Sequence, residues 1–144
     1  MYPKSGNNIA ATYVEDDGRS VVDHSAYWMR AGSLAEARYL TGVLNSEAIV
    51  ERVRPLQAVG LFGARHFDKY VFSVPFGLYD ENDEAHVEFV GLVEQAEEVA
   101  AGVDLSGCRT FQAKRKAIRA AIDERGVGEQ LEELALCILP EVTV

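Results

Sequence analysis

Residues 39–75 read YLTGVLNSEAIVERVRPLQAVGLFGARHFDKYVFSVP, and the rest of the chain is organised around them. The stretch starts as an amphipathic helix and breaks at Asn45-Ser46, where either residue can stop one helix or cap the next. A second helical segment follows, with Ala48, Ile49 and Val53 inward and Glu47, Glu51 and Arg52 outward. Pro55 disfavours helical geometry at the residue before it, which places Arg54 outside that helix. Gly60 and Gly63 then punctuate a loop whose apolar Leu61 and Phe62 predict that it folds back on the body. Residues 67–74 fit a helical turn or a strand equally well, ended by Pro75 and Gly77.

Upstream, Ser33-Leu34-Ala35-Glu36 is a capping box that opens the first helix. Leu34, Ala37, Leu40 and Leu44, with Val43 beside them, form its predicted apolar stripe. Before it, residues 9–14 and 20–30 read as two strands joined through Asp17-Gly18, a hairpin turn signal. Asp23 and His24 then point to opposite faces of the second strand. A lone two-stranded hairpin is marginal, so further strands are expected.

Downstream, residues 79–83 lead into the longest helix, where Ala85, Phe89, Leu92, Ala96, Val99 and Val103 recur at steps of three and four. Thr110 caps a helix running to about Glu124, with Phe111, Ile118, Ala121 and Ile122 apolar. Val127, Leu131, Leu134 and Ile138 mark the last one. The expected fold class is α+β: an N-terminal β-hairpin or small sheet packed on a mainly helical C-terminal half. The 144 residues are expected to form a single domain, β-rich over 8–30, a helix-loop core over 33–77 and helical over 80–140.

No run of about 18 apolar residues and no secretory leader is evident, and a cytoplasmic protein is expected. Cys108 and Cys137 read as reduced thiols, Cys137 inside a helix core, with a disulfide between them as the alternative. The net charge of −9 is uneven. Residues 1–72 carry eight Lys/Arg against eight Asp/Glu, and residues 73–144 carry six against fifteen. Polyanion binding is driven by phosphate neutralisation, so any nucleic-acid contact has to be local.

Two basic clusters qualify. Between residues 52 and 69 stand Arg52, Arg54, Arg65, His66 and Lys69 with Asp68 as the one carboxylate, a formal charge of +3. Arginine and lysine contact phosphate, and arginine reads guanine edges, so these five are the candidate DNA-binding residues. A solvated face paired with the acidic helices is the competing use. The second cluster is Arg109, Lys114, Arg115, Lys116 and Arg119. Glu-rich segments flank it, and inter-helix ion pairs are its expected use. The three histidines lack metal-ligand spacing and read as surface or hydrogen-bonded residues. No nucleophile elbow, phosphate loop or dinucleotide-binding glycine motif occurs.

The chain resembles the C-terminal specificity region of large N6-adenine DNA methyltransferases of restriction-modification or phage-defence type, the TaqI-like group among them. The resemblance rests on Asp23-His24, Tyr27-Trp28, Glu36-Ala37-Arg38-Tyr39-Leu40-Thr41 and Val43-Leu44-Asn45-Ser46. It continues through Val53-Arg54-Pro55-Leu56-Gln57, Gly60-Leu61-Phe62-Gly63 and Arg65-His66-Phe67-Asp68-Lys69-Tyr70-Val71. It implies a target-recognition module that reads double-stranded DNA beside a methyltransferase catalytic domain, in cis or in trans. The family's Asn-Pro-Pro-Tyr motif and its cofactor-binding glycine-rich strand end are absent here. The implied module therefore has no catalysis and no cofactor of its own, and the chain reads as a fragment of a longer polypeptide. Where the family has a Leu-Pro-Ile-Pro-like segment, this chain keeps one proline, in Ser73-Val74-Pro75-Phe76-Gly77. The alternative function is a protein-interaction scaffold that uses the acidic amphipathic helices.

Overall fold

Asp83 opens the central helix, α1 to α5 being numbered here in chain order: α3 spans Glu84–Ala101. Its carboxylate Oδ1 accepts from the Ala85 N–H at 2.9 Å and the His86 N–H at 3.3 Å, satisfying two donors that a helix start otherwise leaves free. The three-four spacing then buries His86, Phe89, Leu92 and Val93 along one side. Onto α3 pack α1 (Leu34–Asn45), α4 (Phe111–Glu124) and α5 (Val127–Ile138), while α2 (Glu47–Val53) bridges α1 and α5. The computed structural model describes residues 1–4, 9–15, 18–57, 59–60, 63–64 and 68–140, the backbone alone for residues 59, 60, 63, 64, 68 and 69.

The fold is α+β, with two small antiparallel pairs among the described residues. β1 (Tyr2–Pro3) pairs with β2 (Ala26–Tyr27) in the register Tyr2↔Tyr27, Pro3↔Ala26. β3 (Val59–Gly60) pairs with β4 (Gly63–Ala64). Among the described residues no helix is long and apolar enough to cross a membrane.

The predicted hairpin of residues 9–14 and 20–30 does not form: residues 9–15 and 18–23 carry no strand, and β2 takes its partner from the first residues of the chain. Gly18 does take the left-handed conformation, φ 77°, that its turn signal implied, but the alternation beyond it was too irregular to sustain a ladder. Instead Ile9 is buried in the core, and Ala11 is held by a side chain. The Asn45 Nδ2 donates to the Ala11 carbonyl at 2.9 Å and its Oδ1 accepts from the Ala11 N–H at 2.8 Å. The amide thus supplies the two bonds that a neighbouring strand would have made. His24 lies in a turn, so its Nδ1 reaches the Asp23 carboxylate at 3.1 Å rather than facing away from it.

Ser33 caps α1, its Oγ accepting from the Glu36 N–H at 3.1 Å, while the Glu36 carboxylate reaches back to the Gly32 N–H. Ser46 serves both helices at the Asn-Ser break: its hydroxyl donates to the Val43 carbonyl at 2.7 Å and accepts from the Ile49 N–H at 3.3 Å. Arg54 stays helical, φ −50° and ψ −45°, contrary to the expectation from Pro55. The chain tightens there into a 3-10 turn, Arg54–Leu56, and proline is tolerated in the first turn because its missing N–H has no helical partner to lose. The ambiguous segment resolves into a 3-10 helix, Asp68–Ser73.

The buried side of α1 is turned from the predicted stripe: Tyr39 and Val43 are fully buried, while Leu34 is 46% exposed. Gly42 explains the seam with α3. A Cβ there would stand 2.5 Å from Val93 Cγ2 and 2.7 Å from Phe89 Cε1. Replacing Gly42 by alanine gains about 1 kcal/mol of helix propensity, but overpacking a closed core costs about 1–3 kcal/mol. The expected outcome is a net destabilisation in urea melts, relieved when Phe89→Leu is combined with it; a stabilised Gly42→Ala protein would disprove the close approach.

Candidate nucleic-acid interface

The end of α2 is where the first basic cluster begins. Arg52 lies in the last helical turn and Arg54 caps it, positions where a cation complements the negative end of the helix dipole. Arg54 is exposed and donates through Nη2 to the Glu47 carboxylate at 3.3 Å, a surface pair. Arg52 is half-buried, and its Nη1 is a buried donor without an acceptor among the described residues. Gln57, 8% exposed, donates its backbone N–H to the Arg54 carbonyl at 3.3 Å, while its side-chain Nε2 is likewise buried and unpartnered among the described residues. Buried donors without acceptors are uncommon in folded proteins. Nothing in the spacing around Gln57 marked it in advance.

The β3–β4 pair follows in the chain, and the Asp68–Ser73 helix packs against α2. Lys69 therefore sits on a 3-10 helix backed by Val71, which is buried against the core. Arg65 and His66 lie outside the described residues, as do Leu61, Phe62 and Phe67. The structure places Arg52 and Arg54 at the C-terminal end of α2 with Gln57 just after it, and packs the 3-10 helix that carries Lys69 against α2. Of the two cluster arginines whose side chains are described, Arg54 has a carboxylate partner among the described residues.

The second cluster behaves differently from its expectation. Thr110 caps α4, its Oγ1 accepting from the Ala113 N–H at 3.1 Å. Arg109, Lys114, Lys116 and Arg119 are exposed and Arg115 half-buried. Among the described residues none of the five makes an ion pair. Two glutamates of α3 are engaged elsewhere: Arg38 of α1 donates from Nη1 to Glu94 at 2.7 Å and from Nε to Glu97 at 3.0 Å. Phe111, predicted as part of the apolar stripe, is 70% exposed, with the Arg115 guanidinium 5.7 Å from its ring centroid. Asp123 and Glu124 stand in the last turn of α4, at the negative end of its dipole, and Arg125 follows them as the C-cap.

The remaining candidates are structural. Arg38 is joined to the N-terminal segment through Tyr13, whose hydroxyl donates to the same Glu97 carboxylate at 3.0 Å. Burial works to lower the Arg38 pKa, but hydrogen bonding with Tyr13, Glu94 and Glu97 outweighs it and holds the guanidinium charged well above its ordinary value. His86 is buried in the first turn of α3. Its Nδ1 accepts from the Asp80 N–H at 3.1 Å, which leaves the proton of the neutral ring on Nε2, 3.4 Å from the Tyr39 hydroxyl. That hydroxyl donates in turn to the Gly77 carbonyl at 3.1 Å, and burial raises the Tyr39 pKa, with the nearby Asp83 charge adding to it. Cys137 is exposed rather than in the core: it follows the buried Ala135 by two residues, which turns it to the far side of α5. Both cysteines are free thiols. Among the described residues no three His, Cys, Asp or Glu side chains converge.

No protein-family model, curated protein or solved structure matches the chain.

Proposed function

We propose that this chain is a DNA target-recognition module of a restriction-modification or phage-defence adenine methyltransferase. It is non-catalytic by itself and acts in the cytoplasm on double-stranded DNA, beside a methyltransferase catalytic domain in cis or in trans. The observation that carries the reading is the reversal of charge at residues 52–69, +3 in a chain of −9, starting where α2 delivers Arg52 and Arg54 to one corner. The resemblance of the Leu44-Asn45-Ser46 and Arg65-His66-Phe67-Asp68-Lys69 runs supports it. In this reading lysine meets phosphate as a point charge, while arginine contacts phosphate or a base edge. A second reading, a protein-interaction scaffold, is favoured by the exposed Glu88, Glu94 and Glu98 along α3.

Duplex binding by fluorescence anisotropy over a salt series separates the two. The expected result is a steep fall of affinity with salt, with Lys69→Ala lowering the slope by about one unit on every sequence. Arg65→Ala is expected to cost about 1–3 kcal/mol and to relax sequence preference if it reads a base. Salt-insensitive or absent binding would hand the function to the scaffold reading. Incubation with labelled S-adenosylmethionine and adenine-containing duplex is expected to give no methyl transfer by this chain alone; incorporation above background would overturn its non-catalytic part.

A further inference from the structure

We infer that the N-terminal end of α4 is a second DNA-contacting element, one that enters a duplex groove with phosphates on both of its flanks. The inference rests on the DNA reading above and adds to it a surface that the 52–69 cluster does not include. Residues 109–112, 114 and 116 are all exposed, so this end of the helix stands clear of the bundle, while Ile118, Ala121 and Ile122 are half-buried beneath it. At about 100° per residue Lys114 and Lys116 lie on opposite flanks. Arg109 precedes the helix and Arg119 continues the Lys116 side.

Three observations point to a polyanion. None of these cations has a carboxylate partner among the described residues, although the chain has a surplus of carboxylates. Lys116 and Arg119 lie beyond the first turn of α4 and short of its last, so their charges do not serve the helix ends. Between the flanks stands the exposed Phe111, with Arg115 against its ring, an apolar and cationic tip of the kind that meets base edges. A helix with its side chains is about 10–12 Å across, close to the roughly 12 Å width of the major groove. Arg119 also borders a concave region of about 740 Å³ shared with Glu97, Asp123, Glu129 and Glu132, which places it at the edge of the element rather than at its tip.

The test compares the whole chain with its Lys114→Ala/Lys116→Ala and Lys114→Arg/Lys116→Arg forms on the same duplex from 20 to 200 mM salt, as about the range over which counterion release is read. The alanine pair is expected to lower the salt slope by about two units and affinity at 100 mM by roughly tenfold or more, with the arginine pair close to the parent. Circular dichroism and melting of each form check that the helix persists; both lysines are exposed, so an unchanged melt is expected. A parent that binds with a steep slope, alongside an alanine pair with the same slope, overturns this inference and leaves the 52–69 reading standing. A parent that binds no duplex at 20 mM salt overturns both. Polyglutamate bound as tightly as duplex, and lost equally in the alanine pair, assigns the face to an acidic protein surface and overturns the DNA contact.

Discussion

Phe89→Ala is expected to lower the unfolding free energy by about 3–5 kcal/mol, the range for truncating a buried phenylalanine. Phe89 is fully buried on α3, meets Tyr39 edge-on at 6.0 Å between ring centroids, and faces the Gly42 backbone that lets α1 approach. Removing it opens a cavity at the seam of the two helices that define the core. The seam can collapse little, because Tyr39 is held at its far end by the Gly77 carbonyl and His86. Against a total stability of about 5–15 kcal/mol the loss is large. Phe111→Ala supplies the internal control: at 70% exposure it should change stability by no more than about 0.5 kcal/mol. Urea melts showing comparable small losses for both would mean that α3 is not the centre of the core.

Arg38→Met is the second large effect. Methionine keeps the apolar stem that packs beneath the guanidinium and removes the bonds to Glu94 and Glu97. Hydrogen bonds to charged groups contribute about 1.5–3 kcal/mol each. The two glutamates are partly exposed, 51% and 33%, and regain water when the arginine is gone, so the expected total is about 2 kcal/mol rather than the sum. The N-terminal segment should loosen as well, since Tyr13 shares the Glu97 carboxylate. Hydrogen exchange at the Thr12 amide, which donates to the Met1 carbonyl at 2.9 Å, reports that loosening. Full protection of Thr12 together with unchanged stability would show that the network holds nothing.

Capping chemistry was readable before any coordinates. Ser33 and Thr110 start helices as their side chains require, and Ser46 resolves the Asn-Ser break by serving both neighbours. These are contacts across three or four residues, which the chain makes wherever it lies. The candidate site was less readable. The charge reversal at residues 52–69 is a property of composition, but the burial of Arg52 Nη1 and Gln57 Nε2 depends on what packs over them. α2 ends at Val53 as expected, but Arg54 keeps helical geometry and opens a 3-10 turn, because a proline in a first 3-10 turn loses no bond. Phe111 shares the stripe of Ile118 and Ile122 but is exposed because the start of α4 stands clear of the bundle, and Cys137, expected in a helix core, faces outward two residues after the buried Ala135.

The amino-acid order by itself determined the α-helical segments, with their starts and stops, and the α+β class, since periodicity, caps and glycine punctuation are local, while residues 67–74 stayed open between a helical turn and a strand. Only the tertiary structure decided the pairings between distant segments. The first residues, not the neighbouring 9–14 stretch, became the partner of β2, and Asn45 took the place of a strand at Ala11. It also decided which charges neutralise one another: Arg38 claims two carboxylates of α3, while the cations of α4 go without an ion pair among the described residues. Nearest-neighbour rules reach one helical turn, whereas these choices depend on where whole elements come to rest, and that is set by packing the core around Phe89, Tyr39 and Gly42.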